Sequence, residues 1–87
     1  MALLQLHIQT PHETTVYSDL LEISLPGADG IVGILPNHAS IIVGLKEGMM
    51  GFLKRNGHTR VHYFIHAGVA HITNNTCLVL VEKYSQA

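Results

Sequence analysis

His62 and His66 are the pair that most nearly meets the requirement of a metal site, in a sequence that holds seven histidines. Four residues apart, they would share one face of a helix. The run around them alternates instead, with Val61, Tyr63 and Ile65 on the other face, which is the pattern of a strand. Four strand residues span about 13 Å, too far for two imidazoles to reach one ion. The sequence contains no His-x-His, and Cys77 has no thiol or histidine close to it in sequence. The histidines therefore read as polar strand positions facing solvent or a partner.

Other chemistry-bearing residues give similar readings. Gly27, Gly30 and Gly33 recur at every third position. A phosphate-cradling loop needs a helix behind it, with N–H groups aimed at the anion. A strand follows here, so the glycines read as a turn whose backbone needs positive φ. Glu13, Asp19, Glu22, Asp29, Glu47 and Glu82 show no pairing suited to acid–base work. Ser40, His38 and Asp29 can be combined on paper into a nucleophile, base and acid, but their spacing gives that set no support. Asn74-Asn75-Thr76 matches a glycosylation sequon, yet with no secretory segment a hairpin turn accounts for it better. Cys77 opens Cys77-Leu78-Val79-Leu80-Val81, a buried central strand in which a small core side chain fits. No catalytic residue, cofactor or metal site is expected from these residues.

The elements that carry these positions are almost all strands. Leu4, Leu6 and Ile8 alternate with polar residues up to Pro11. Thr14 to Tyr17 and Leu20 to Leu25 read as two short strands separated near Ser18-Asp19. After the turn signal Pro26-Gly27-Ala28-Asp29-Gly30 come Ile31 to Leu35, the loop Pro36 to Ser40, and the β-branched run Ile41 to Leu45. Met49 to Lys54 and Thr59 to Ile65 flank Arg55-Asn56-Gly57-His58, in which Asn56 and Gly57 both tolerate the positive φ of a type I′ turn. Gly68 to Thr73 and Thr76 to Lys83 flank Asn74-Asn75 in a similar hairpin, and Tyr84 to Ala87 reads as a frayed tail. The expected architecture is one all-β domain over residues 1–87. It is a small β-sandwich of about nine or ten short, mainly antiparallel strands with no C-terminal helical domain.

Composition bounds the function. In 87 residues, 47% are hydrophobic and 13% charged, which supplies a core and leaves a lean surface for partners to cover. Lys46, Lys54, Arg55, Arg60 and Lys83 form no basic stripe, and the net charge is −1, so nucleic-acid binding is not expected. A single cysteine excludes an internal disulfide and fits a reducing compartment. No run approaches the ~18 apolar residues of a membrane span, and no signal peptide is indicated at the start, so any membrane contact is expected to come through a partner.

Pattern alone stops at an interaction-prone sandwich. The segment Ile23-Ser24-Leu25-Pro26-Gly27-Ala28-Asp29-Gly30-Ile31-Val32-Gly33-Ile34-Leu35-Pro36-Asn37-His38-Ala39 resembles the epsilon subunits of F-type ATP synthases. That family reads Pro-Gly, spaced glycines, Pro, then Gly-His-Ala-Pro. Leu6 to Pro11, Tyr17-Ser18 and Leu45-Lys46-Glu47-Gly48 fit it in the same order. Asn37 and Ser40 depart from the family's Gly and Pro, and Ile31 stands where many members carry Glu. The chain stops at Ala87, where members usually continue into two helices that act as a brake.

The resemblance implies a non-catalytic central-stalk subunit that docks on gamma and on the membrane c-ring and couples ion-driven rotation to ATP synthesis. It implies a peripheral place on the cytoplasmic side of the bacterial inner membrane, with membrane contact only through the complex. The usual C-terminal inhibitory helices are expected to be lacking. Carried across by position, Thr10, His38 and Val43 match the gamma-facing side, and Asp29, Gly30, Ile31 and Val32 match the loop that reaches the ring. His38 and its loop, Pro36 to Ser40, are expected at the gamma interface; since burial there disfavours the imidazolium, mildly acidic pH is expected to weaken docking if His38 is neutral in the complex. The competing expectation is a stand-alone sandwich that binds a small ligand or metal through its histidines.

Overall fold

Alternation of apolar and polar residues dictates the strands. In a computed structural model describing residues 2–87, they are β1 (Leu4–Gln9), β2 (Thr14–Gly27), β3 (Gly30–Ile34), β4 (Ile41–Leu45), β5 (Gly48–Lys54), β6 (Arg60–Ile65), β7 (Gly68–Thr73), β8 (Thr76–Val81) and β9 (Tyr84–Gln86). No helix occurs among the described residues. Every pairing is antiparallel except that of β1 with β8, which is parallel.

The hydrogen-bond ladder folds into two layers because β2 belongs to both. One layer runs β4–β7–β8–β1 and ends on the first part of β2, where Gln9 faces Thr14 and Leu6 faces Tyr17. The other runs β3, the last part of β2, β5, β6 and β9. Leu20 is the shared residue, paired with both Leu4 and Lys54. The inner faces meet in a core of aliphatic side chains around Phe52, with Leu4, Leu6, Ile8, Ile23, Leu25, Met50, Ile65 and Val79 all at most 1% exposed. Burying each such side chain contributes roughly 1.5–3 kcal/mol. No polar or charged residue is buried among those described.

Four local expectations need correction. The separation near Ser18-Asp19 is a bend inside one continuous strand. Asp19 takes φ of 58°, and the β1–β2 register shifts there, which turns β2 from one layer to the other without ending it. Asn56-Gly57 is not a type I′ turn, because of the two only Gly57 has positive φ, 76°. Lys54 N bonds to Thr59 O at 2.9 Å, so the loop holds four residues, and Asn56 Oδ1 accepts from the N–H groups of His58 and Thr59. The type I′ geometry appears instead at Asn74-Asn75, with φ of 49° and 60°. Of the three spaced glycines, only Gly30 has positive φ; Gly27 is needed for space, since a Cβ there would lie 2.6 Å from the Gly30 carbonyl oxygen.

The tail is the fourth correction, since it forms β9 on the edge of β6. Tyr84 packs edge-on against Tyr63 with ring centroids 5.3 Å apart, and its hydroxyl lies 2.9 Å from Thr15 Oγ1. A three-residue strand holds because an aromatic anchors it across the open side of the sandwich. Tyr17 and Tyr63 join their hydroxyls over the same opening. Burial, followed by that bond, raises the Tyr17 pKa.

Candidate functional site

The outward positions of the β4–β7–β8–β1–β2 layer follow from the alternation. With Val43, Leu45, Ala70, Ile72, Cys77, Val79, Leu4, Leu6 and Ile8 turned inward, the opposite side chains form rows across the strands. The central row is Ile42, His71, Leu78, His7 and Val16. Beside it run Gly44, Val69, Leu80, Gln9 and Thr14 on one flank and Thr73, Thr76 and Gln5 on the other. None of these is Asp, Glu, Lys or Arg. Ile42 is 70% exposed, Val16 49% and Leu80 38%.

The charges lie elsewhere. Glu13, Asp29, Lys46, Glu47, Arg55, Glu82 and Lys83 all sit in the connections between strands, Lys54 ends β5, and Asp19 sits at the bend of β2. Glu22 and Arg60 pair on the outside of the other layer. A sheet face of this breadth, without a charge and with Ile42, Val16 and Leu80 open on it, is a surface a partner can cover without burying an ion pair.

The three gamma-side candidates belong to this layer but do not converge. The registers put Thr10 at one end, with Gly68 and Val81, and the loop of His38 at the other, with Asn75. Thr10 Oγ1 accepts from the N–H groups of His12 and Glu13 and so fixes the turn after β1. Val43 lies in β4 with its side chain in the core, 8% exposed, while its neighbour Ile42 carries the outward surface.

His38 is half-buried, with Nδ1 2.7 Å from the Ala39 carbonyl oxygen. Its N–H bonds to Leu35 O at 3.2 Å, closing a turn in which Asn37 takes φ of 66°. The Asn37 N–H also donates to Asn75 Oδ1. Asparagine is the residue other than glycine that best accepts this conformation, so the departure at Asn37 preserves the backbone shape. Asn37→Val should lower the melting temperature by several degrees, because a β-branched residue is strained at positive φ, whereas Asn37→Gly should melt within about 3 °C of the parent. Calorimetry of the two variants decides this.

The ring-side candidates do cluster. Asp29 lies in the two-residue loop closing β2 and β3, where Gly27 faces Gly30. Ala28 N bonds to Gly44 O at 2.8 Å, and Lys46 N to Pro26 O at 2.9 Å, so the loop is tied to β4. Between them is a groove of about 330 Å³ whose lining includes Gly30, Ile31, Val32, Ile42 and Val43. Ile31 is 85% exposed.

Sequence reasoning missed the uncharged face as a unit. Its signal was present in β1, β4, β7 and β8, whose outward residues carry no charge, but their adjacency appears only with the topology. Among the described residues no three metal-capable groups gather. His66 Nδ1 lies 3.4 Å from Glu47 Oε2, an exposed pair. Cys77 is fully buried, and that burial pushes its thiol up to about 12, away from the reactive thiolate.

These features define a two-layer β-sandwich with one uncharged sheet face and a loop at the sandwich end that exposes Ile31 beside Asp29. The model of the ATP synthase delta/epsilon chain β-sandwich domain matches residues 3–87, and the chain belongs to that family. The ATP synthase epsilon chain of Rhodospirillum centenum is 32% identical over 83 residues, covering 94% of this chain and 57% of its own length. That of Rickettsia typhi is 34% identical over 80 residues, covering 91% and 73%. That of Wolinella succinogenes is 41% identical over 61 residues, covering 70% and 47%. The chain thus spans about half of some curated relatives and nearly three quarters of another. A chain in the Euglena gracilis mitochondrial ATP synthase structure superposes with TM-score 0.89 at 18% identity, over 99% of this chain and 54% of that one. One from the Tetrahymena thermophila central stalk and c-ring structure gives 0.81 at 12%, over 95% and 66%. At such identities the likeness is one of fold.

Proposed function

We propose that this chain is a non-catalytic rotor component of an F-type ATP synthase, docking through its uncharged face on gamma and through the β2–β3 loop on the c-ring. The observation that carries the reading is the charge-free outer face of the β4–β7–β8–β1–β2 layer in a chain of this family. Thr10 and His38 mark the two ends of that face, and Val43 supports it from beneath. Asp29, Gly30, Ile31 and Val32 form the ring contact, and with Ile31 in place of a carboxylate Asp29 is the one charge that contact carries. A close-packed sandwich deforms little under load, which suits passing torque from ring to gamma. The chain then sits on the cytoplasmic side of the bacterial inner membrane, held there by the complex.

The test is co-purification with gamma from the same organism. A stable one-to-one complex on size-exclusion chromatography is expected. Failure to form any complex with folded gamma would overturn the reading.

A further inference from the structure

We infer that docking through the uncharged face is proton-linked, and that His7 and His71 are the groups that make it so; this rests on the docking reading above. Both imidazoles stand in the central row, each between aliphatic neighbours on the adjoining strands. His71 lies between Ile42 of β4 and Leu78 of β8, and His7 between Leu78 and Val16 of β2.

The groups that face them can be followed strand by strand. β4 presents Ile42 and Gly44, β8 presents Thr76, Leu78 and Leu80, and β2 presents Thr14, Val16 and Ser18. Their own strands present Gln5, Gln9, Val69 and Thr73. None of these ionises in the physiological range, so each histidine has only the other as a titratable group on the face. His12, Glu13 and Glu82 lie in the connections at the Thr10 end, and Asp19, Lys54 and Arg55 border the row beyond Val16 and Ser18, in the groove between β2 and the β5–β6 loop. The polar contact of His7 is Gln5 Oε1, 3.2 Å from Nε2. Among the described residues His71 makes no side-chain hydrogen bond.

In the free chain water solvates either form of both rings. A partner laid across the row removes that water and leaves aliphatic neighbours, which disfavours the imidazolium. Histidine is the side chain that changes charge between about pH 5 and 8, so docking selects the neutral form in a range cells reach. The sign follows from linkage. Burial lowers the histidine pKa in the complex, so the complex holds fewer protons than its free components. Affinity is then complete at higher pH and falls as pH drops through the free-state titration. The fall approaches about tenfold per pH unit for each histidine involved.

His38 differs in kind. It lies at the end of the layer, in the turn before β4 rather than in the central row, so a partner laid along that row leaves it at the rim. It should contribute affinity without setting the pH slope.

Binding of purified gamma is measured from pH 8 to 5.5 at fixed ionic strength, with melting curves at each pH. The parent chain should bind at least about tenfold more weakly at pH 5.5 than at 7.5. The double variant His7→Gln/His71→Gln should hold its affinity within about threefold over that range, and His38→Gln should keep the parent slope. His71→Lys, a fixed cation mid-row, should bind at least about tenfold more weakly even at pH 8 while melting like the parent. A flat profile for the parent, tighter binding in acid, or the parent slope persisting in the double variant would overturn the histidine inference and leave docking standing. Absence of binding at every pH would remove the docking reading and the inference with it.

Discussion

Replacing Phe52 with alanine should lower the melting temperature by at least about 12 °C. Phe52 is fully buried, and its ring lies 4.8 Å from that of Tyr17 and 6.4 Å from that of Tyr63, centroid to centroid. These three aromatics come from β5, β2 and β6, so the contact joins the bent first part of β2 to the opposite layer. Truncating a buried phenylalanine costs about 3–5 kcal/mol, since the cavity adds to the lost transfer energy. Small domains hold only about 5–15 kcal/mol in total, so a large share of the stability goes with one ring. Loss of that ring also loosens the Tyr17–Tyr63 hydroxyl pair, which near-ultraviolet circular dichroism reads directly. Phe64→Ala is the control, because Phe64 lies on the outside of β6 and is half-buried against His66. It should cost less than half as much. Equal losses at the two positions would show that the layers are not clamped through Phe52.

Local strands were legible in the sequence because period-two patterning follows burial directly. Leu4, Leu6 and Ile8 are inward as their alternation requires, and Cys77 and Val79 fill a central strand. The ends of β4 and β7 coincide with the expected runs. The bend at Asp19 was not legible as a bend. A polar Ser-Asp pair ends a strand as readily as it bulges one, and only pairing with β1 on one side and β5 on the other decides. The tail failed for the same reason, since Tyr84 holds its strand through Tyr63 and Thr15, both distant in sequence. The parallel pairing of β1 with β8 has no local signal whatever, and that pairing brings His7 into line with Leu78 and His71. The candidate face is thus a product of topology written on residues whose individual characters were plain.

Ile42→Asp should weaken binding to gamma by at least about a hundredfold while leaving the fold intact. Ile42 is 70% exposed and sits at the open end of the central row, so a carboxylate there is solvated in the free chain. On docking it would be enclosed among Gly44, His71 and the partner, with no lysine or arginine on the face to pair it, and at pH 8 a neutral His71 offers no countercharge. An unpaired buried carboxylate costs several kcal/mol, and each 1.4 kcal/mol is tenfold in affinity. Leu80→Asp, on the neighbouring row, should act in the same direction and so tests the breadth of the face. His38→Asp should weaken docking less than Ile42→Asp, because His38 lies at the end of the layer, where contact with the partner is at the rim. His58→Asp is the reference. It occupies the β5–β6 loop, which adjoins the face only beyond Val16 and lies far in the topology from β4, β7, β8 and β1, and it should bind within about twofold of the parent. Titration calorimetry of the four variants against purified gamma, with melting curves to establish folding, ranks them. Parent-like binding by Ile42→Asp and Leu80→Asp together with loss of binding by His58→Asp would move the docking surface to the β2–β5–β6 layer. The face between Thr10 and His38 would then need a different partner.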